Sequence, residues 1–133
     1  MKTLNRENFA ARTHVPHMEK VDVTEWGDID PETGKPEPTC VYVREITVAE
    51  RGKFEAKMTI GKGKKTKLTT EKWEVWAVIL ACCDEYGNPL FQQSDEYWLE
   101  QKPCAMIHRI WKVFGKINNF KNEDEDEDET LKN

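Results

Sequence analysis

The sequence lacks the motifs by which many enzymes and metalloproteins are recognised. Its 133 residues contain no Gly-rich nucleotide fingerprint, no HExxH helix and no recognisable Ser/His/Asp or Cys/His arrangement. No CxxC pair of the kind that zinc sites use occurs among the four cysteines, which are Cys40, Cys82, Cys83 and Cys104. We therefore expect a non-enzymatic protein without cofactor or metal, whose thiols stay reduced and pack as small apolar groups.

The three histidines also lack the neighbours that a metal or catalytic site needs. His14 and His17 lie on either side of a Val-Pro dipeptide with no third ligand nearby in the sequence, so we expect solvated residues of a tether. His108 falls on the polar flank of the last predicted helix. Because the sequence places no carboxylate beside it, a solvated side chain is expected there too.

Long hydrophobic runs are missing. The longest apolar stretch, Val75–Cys83, has nine residues, whereas a membrane-spanning helix needs about 20. The first residues, MKTLNRENFAARTH, contain no apolar segment of the kind found in signal peptides. These features predict a cytoplasmic protein with no membrane partner.

Charge is distributed unevenly along the chain. The net charge is −5, but the run Glu123–Glu129 contributes seven negative charges, so the remainder carries +2. Such a run repels itself and buries no apolar area, which predicts a disordered acidic tail over 121–133. The lysines of 61–67 form a predicted solvated loop, open to weak contact with an acidic partner, nucleic acid or the acidic tail. Without a basic face, nucleic acid is not the expected main partner.

The N-terminal half predicts a long β-hairpin over residues 20–46. Val21–Trp26 alternates apolar and polar residues, and Cys40–Ile46 is rich in β-branched residues. The intervening GDIDPETGKPEP contains three prolines and two glycines and is a predicted loop. A lone hairpin is marginally stable in water, so one of its faces is expected to pack on helices or on another chain.

A helix is predicted to follow the second strand directly. Thr47 and Glu50 have the spacing of a capping box, in which each side chain satisfies a free backbone amide of the other residue. The central helix is apolar nearly all round, which predicts burial, and the last one carries a broad apolar face on which Trp111 and Phe114 can stack.

The predicted fold class is α+β, with an N-terminal β-hairpin packed on a mainly α-helical domain of about four helices. The predicted organisation is a tether at 1–18, a domain at 19–120 with helices at 47–59, 69–84, 94–101 and 103–118, and the tail at 121–133.

Five tryptophans favour a binding protein, although all five could also belong to the core. Arg44 and its neighbour Glu45 are left open between a structural ion pair and a partner contact. The candidate partner-binding residues, chosen for expected exposure, are Trp26, Tyr42, Arg44, Phe54, Trp98 and Trp111.

Several short segments, taken in order, resemble one family. Val41–Glu55 looks like a V-x-V-R-E-[LM]-T-x-x-E-R-x-x-[FW]-E pattern, and Asp84–Phe91 looks like D-x-x-G-x-x-[LV]-F. A strand ending in Trp26-Gly27, the run Leu99–Pro103 before an amphipathic helix, and Ile117-Asn118 complete the likeness. Over roughly 21–120 the chain resembles the tail assembly chaperones of long-tailed bacteriophages and related prophages.

The resemblance implies a non-enzymatic role in the host cytoplasm. Members of that family bind the long, aggregation-prone tape measure protein before the tail tube protein polymerises around it. They form oligomers and are absent from the mature virion. Two alternatives stay open: a structural or connector component of the phage particle, and an acidic tail that mimics DNA towards a basic host protein.

Overall fold

The computed structural model describes residues 1–60, 67–68 and 72–120. The fold is α+β, as predicted, with a three-stranded antiparallel sheet in the order Met18–Asp22, Cys40–Arg44, Cys82–Cys83 and a separate pair of Thr59–Ile60 with Lys67–Leu68. The predicted acidic tail, most of the predicted Lys-rich loop and the first three residues of the predicted central helix, 69–71, lie outside the described residues. The described elements are α1 (Arg6–Ala11), β1 (Met18–Asp22), β2 (Cys40–Arg44), α2 (Val48–Met58), β3 (Thr59–Ile60), β4 (Lys67–Leu68), α3 (Trp73–Ala81), β5 (Cys82–Cys83), α4 (Glu96–Leu99) and α5 (Cys104–Ile117), with 3-10 turns at Thr24–Trp26 and Gln93–Asp95.

The hairpin pairs β1 with β2, but β1 begins and ends earlier than predicted. Met18 lies opposite Arg44 and Asp22 opposite Cys40. The apolar alternation predicted a strand as far as Trp26, and this is wrong because the Asp22 carboxylate accepts the Thr24 amide at 2.8 Å and turns the chain into a 3-10 turn.

The junction between β2 and α2 has the predicted capping box. The Glu50 amide donates to the Thr47 hydroxyl at 3.1 Å, and the Thr47 amide donates to the Glu50 carboxylate at 2.9 Å. Two amides that a helix start leaves free are thereby satisfied, and α2 begins at Val48. The helix ends at Met58, within a residue of the predicted limit.

The central helix is shorter than predicted at its C-terminal end. It stops at Ala81, and Cys82 and Cys83 are extended and pair with Val43 and Tyr42 of β2. The apolar pattern predicted that both cysteines belong to the helix. They are extended instead, because they pair with a strand some 40 residues earlier in the chain, and this tertiary contact outweighs the local helical preference. Gly87 adopts a left-handed conformation, with φ +86°, in the turn that follows β5.

The core lies between one face of the sheet and the two longest C-terminal helices, α3 and α5. Val21 and Val41 face each other across β1 and β2, and their side chains and that of Val43 are buried towards these helices. Phe120 folds back after α5, where its amide donates to Gly115 at 2.8 Å. A Cβ on Gly115 would lie 3.3 Å from the Phe120 carbonyl oxygen, so glycine permits this close approach.

Candidate partner-binding surface

Two of the six candidate residues are core residues, and their expected exposure is wrong. Phe54 is 4% exposed and Trp111 is 5% exposed. The ring of Phe54 packs 5.5 Å from those of Phe114 and Phe120, while Trp111 stacks on Phe114 as its spacing predicted. These rings are covered because α2 lies over the C-terminal end of α5 and Phe120 closes the same space.

Arg44 forms a structural ion pair. Its guanidinium bonds both carboxylate oxygens of Glu50, at 2.9 and 2.6 Å, and also donates to the Leu80 carbonyl at 3.0 Å. The hydrogen bond from Arg44 holds the pKa of Glu50 at about 2. One arginine thus joins β2, the start of α2 and the end of α3, and Glu50 serves the ion pair and the helix cap together.

Glu45, the other residue left open, anchors the segment before β1. Its carboxylate accepts the His17 amide at 2.5 Å and lies 3.2 Å from His14 Nε2. The hydrogen bond from His17 lowers the pKa of Glu45. The two histidines predicted to be solvated are largely exposed, and they lie where the N-terminal segment meets the sheet.

Trp26 and Tyr42 are partly buried. Trp26 packs against the edge of the core from the 3-10 turn. Tyr42 lies on the sheet face opposite the buried Val41 and Val43, since it stands between them on β2 and successive side chains of a strand point to opposite faces. Both residues leave part of their rings in solvent.

Trp98 is the most exposed of the six candidates, at 42%. Its ring packs edge-on against Phe91 with centroids 5.8 Å apart, and its indole N–H donates to Asp95 at 3.0 Å. Tyr97, beside it on α4, is 77% exposed. We call residues 86–98 the exposed aromatic segment, because four of its large apolar side chains, Tyr86, Leu90, Tyr97 and Trp98, are exposed.

Polar contacts fix this segment on the helical core. The amide of Gln92 donates to Asp95 at 2.7 Å, forming a capping box at the 3-10 turn before α4. Glu96 accepts a hydrogen bond from the indole of Trp76 on α3. The Lys72 ammonium lies 3.3 Å from Glu100 at the end of α4. These hydrogen bonds and the ion pair therefore hold in place the backbone that carries the exposed rings.

The segment and its flanks are also strongly acidic. Residues 84–101 include five acidic side chains and no lysine or arginine. Asp84 accepts hydrogen bonds from the amides of Asn88 and Tyr86, both at 2.9 Å. These bonds, of which the one from Asn88 has the larger effect, lower the pKa of Asp84 and favour its ionised form. Exposed apolar rings surrounded by acidic side chains favour a partner whose surface combines apolar and basic residues.

Two side-chain contacts of α5 with distant residues were not predicted from the sequence. His108 Nδ1 lies 2.5 Å from a Glu74 carboxylate oxygen on α3, so the expectation of a histidine without a carboxylate partner is wrong. Arg109 bonds both carboxylate oxygens of Glu25, at 3.1 and 2.7 Å. The partners are 34 and 84 residues apart, and no local spacing indicates either contact.

The cysteines divide into two pairs. Cys82 and Cys83 are buried free thiols, as predicted, and burial raises the pKa of Cys82 to about 12. Cys40 and Cys104 are free but exposed, so their predicted burial is wrong.

In the part of the chain that the structure describes, no group of three His, Cys, Asp or Glu side chains could hold a metal ion. Among the same residues, none of the helices combines the length and apolarity that crossing a bilayer requires. Comparison with protein-family models, with the curated proteins and with the solved structures finds no match for this chain.

Proposed function

We propose that this chain is a tail assembly chaperone of a long-tailed phage or prophage. It binds the tape measure protein in the host cytoplasm, as a non-enzymatic homo-oligomer, and assists polymerisation of the tail tube protein. The proposal starts from the resemblance carried by Val41–Glu55 and Asp84–Phe91. Arg44 and Glu50 of the first segment have structural roles, so the partner contacts are sought elsewhere on the surface.

The observation that carries the proposal is the exposed aromatic segment. It presents Tyr97 and Trp98 from α4, and Trp98 is 42% exposed although its ring also packs on Phe91. A long helical client has apolar stripes that cause aggregation when they are exposed to solvent. An apolar surface on which a helix can dock covers such a stripe. Aromatic side chains supply much contact area with few rotatable bonds.

Many weak contacts suit this role better than one tight contact. Each copy covers a short length of client with moderate affinity, and neighbouring copies on one client add avidity. Tail tube subunits can then displace the copies one after another.

A pull-down with the tape measure protein of the same phage tests the proposal. Wild-type protein is expected to retain the client, and Trp98→Ala and Tyr97→Ser to retain at least ~10-fold less, which corresponds to about 1.4 kcal/mol. Val48→Ser is the matched control, because Val48 is an exposed apolar residue on α2, outside the segment. Circular dichroism confirms that each variant is folded.

A folded wild-type protein with no affinity for the client contradicts the proposal. Mass spectrometry of purified virions separates it from the alternative, a structural or connector component, because that component is present at stoichiometric level in the finished particle. A chaperone is absent from it.

A further inference from the structure

The apolar side chains of the N-terminal arm, residues 1–13, are exposed to solvent. Its helix α1 is capped by Asn5, which accepts the Asn8 amide at 2.8 Å, yet none of the helix residues is buried. Phe9 is 74% exposed and Leu4 is exposed as well. A six-residue helix without packing is marginal in water, so the arm gains order only against another surface.

The arm leaves the folded domain at a fixed point. The Glu45 carboxylate and the Glu45 amide hold His17 at 2.5 and 2.9 Å, directly before β1. The residues before this anchor reach ~55 Å when extended, which is enough to cross to a neighbouring molecule.

Charge distinguishes the arm from the exposed aromatic segment. Residues 1–13 contain Lys2, Arg6 and Arg12 against the single acid Glu7, a net charge of +2. Residues 84–101 carry −5 and no basic side chain. The arm and the exposed aromatic segment thus both expose apolar side chains to solvent, and they carry opposite net charges.

We propose that the arm of one copy docks on the exposed aromatic segment of a second copy, and that the second copy returns the contact. Within one chain Phe9 and Trp98 both remain exposed, so the chain's own arm does not cover the segment. Reciprocal exchange is a closed two-fold arrangement that covers both apolar stretches of both copies. Charge pairs around the rings favour this pairing and make it sensitive to salt.

The contact concerns the same surface as the proposed function. The self-association itself needs no client and does not depend on the proposed function. Only the further idea that the arm competes with the client rests on that function. An arm that occupies the segment in the free protein would keep the rings covered until a client displaces it.

Sedimentation equilibrium of the full chain, without client, tests the contact with two charge variants. The arm variant, Lys2→Glu with Arg6→Glu and Arg12→Glu, changes the arm from +2 to −4. The segment variant, Glu85→Lys, Gln93→Lys, Glu100→Lys and Gln101→Lys, changes residues 84–101 from −5 to +1. Each variant alone is expected to associate at least ~10-fold more weakly than wild type, and their mixture to recover a one-to-one complex.

Phe9→Ser tests the apolar part of the contact and is expected to weaken self-association at least ~10-fold, while Val48→Ser leaves it unchanged. The arm variants carry the test if the segment variant fails to fold, because no residue of α1 is buried. A wild-type protein that stays monomeric at ~1 mM, or an association unchanged by Phe9→Ser, overturns the inference. Arm-dependent changes in tryptophan fluorescence that are absent from Trp98→Ala and independent of concentration also overturn it, since they place the arm on its own chain.

Discussion

Two aromatic groups of this protein share a geometry but differ in exposure. In the buried aromatic cluster, ring centroids of Phe54, Trp111, Phe114 and Phe120 lie 5.3 to 6.2 Å apart. In the exposed aromatic segment, Phe91 and Trp98 are 5.8 Å apart. The centroid distances are therefore alike, and only the first group is closed on its outer side.

The difference arises from the course of the chain after each helix. After α5 the chain turns at Asn119 with φ +57°, which brings Phe120 over the cluster, and the Arg51 guanidinium lies 4.0 Å from the Phe120 ring. After α4 the chain passes directly to Pro103 and α5, and Lys102 lies 5.6 Å from the Trp98 ring. A returning segment closes one group, and the other stays open to solvent.

The largest expected effect comes from breaking the buried cluster. Phe114 is 0% exposed, so Phe114→Ala removes its contacts and leaves a cavity among helices that relax only partly. We expect the free energy of unfolding to fall by about 3–5 kcal/mol in urea denaturation. A loss below about 1 kcal/mol would show that the cluster is not the centre of the core.

A smaller effect is expected from the ion pair that attaches α2 beside the cluster. The folded-state pKa of Glu50, about 2, lies below its usual 4.5, so the stability from this pair is complete above about pH 5 and is lost as pH falls towards 2. With Glu50 29% and Arg44 18% exposed, the pair contributes about 2 kcal/mol after allowance for solvent screening.

Urea denaturation between pH 2 and pH 7 measures this contribution. Glu50→Gln is expected to lower stability at pH 7 and to flatten the acid limb of the profile. Glu55→Gln is the matched control, because the Glu55 pair with Arg51 is more exposed and lies on the same helix. An unchanged acid limb in Glu50→Gln contradicts the assignment.

The sequence predicted those features that depend on neighbours a few residues apart. The capping box of Thr47 and Glu50, the limits of α2 and α5, and the stacking of Trp111 on Phe114 all follow from spacings of three to four residues.

Features that depend on distant partners were not predicted. Cys82 and Cys83 leave the helix because β2 pairs with them, and Arg44 finds Glu50 and the Leu80 carbonyl only once α2 and α3 are in place. Trp111 lies on the broad apolar face of α5, which indicates burial, whereas the exposure of Trp98 depends on whether a later segment returns to cover its ring. The candidate site could therefore be predicted as a set of aromatics, but not which of them face solvent.

Replacing the exposed ring is expected to have the smallest effect on stability. Trp98→Ala removes a ring that is 42% exposed and whose space water can enter, so we expect a loss of about 1–2 kcal/mol, clearly below that of Phe114→Ala. Urea denaturation of both variants under one condition gives the comparison directly. A Trp98 variant as unstable as the Phe114 variant would make Trp98 a core residue. A small loss of stability, joined with a large loss of client binding, would instead support the use of the ring as a partner contact.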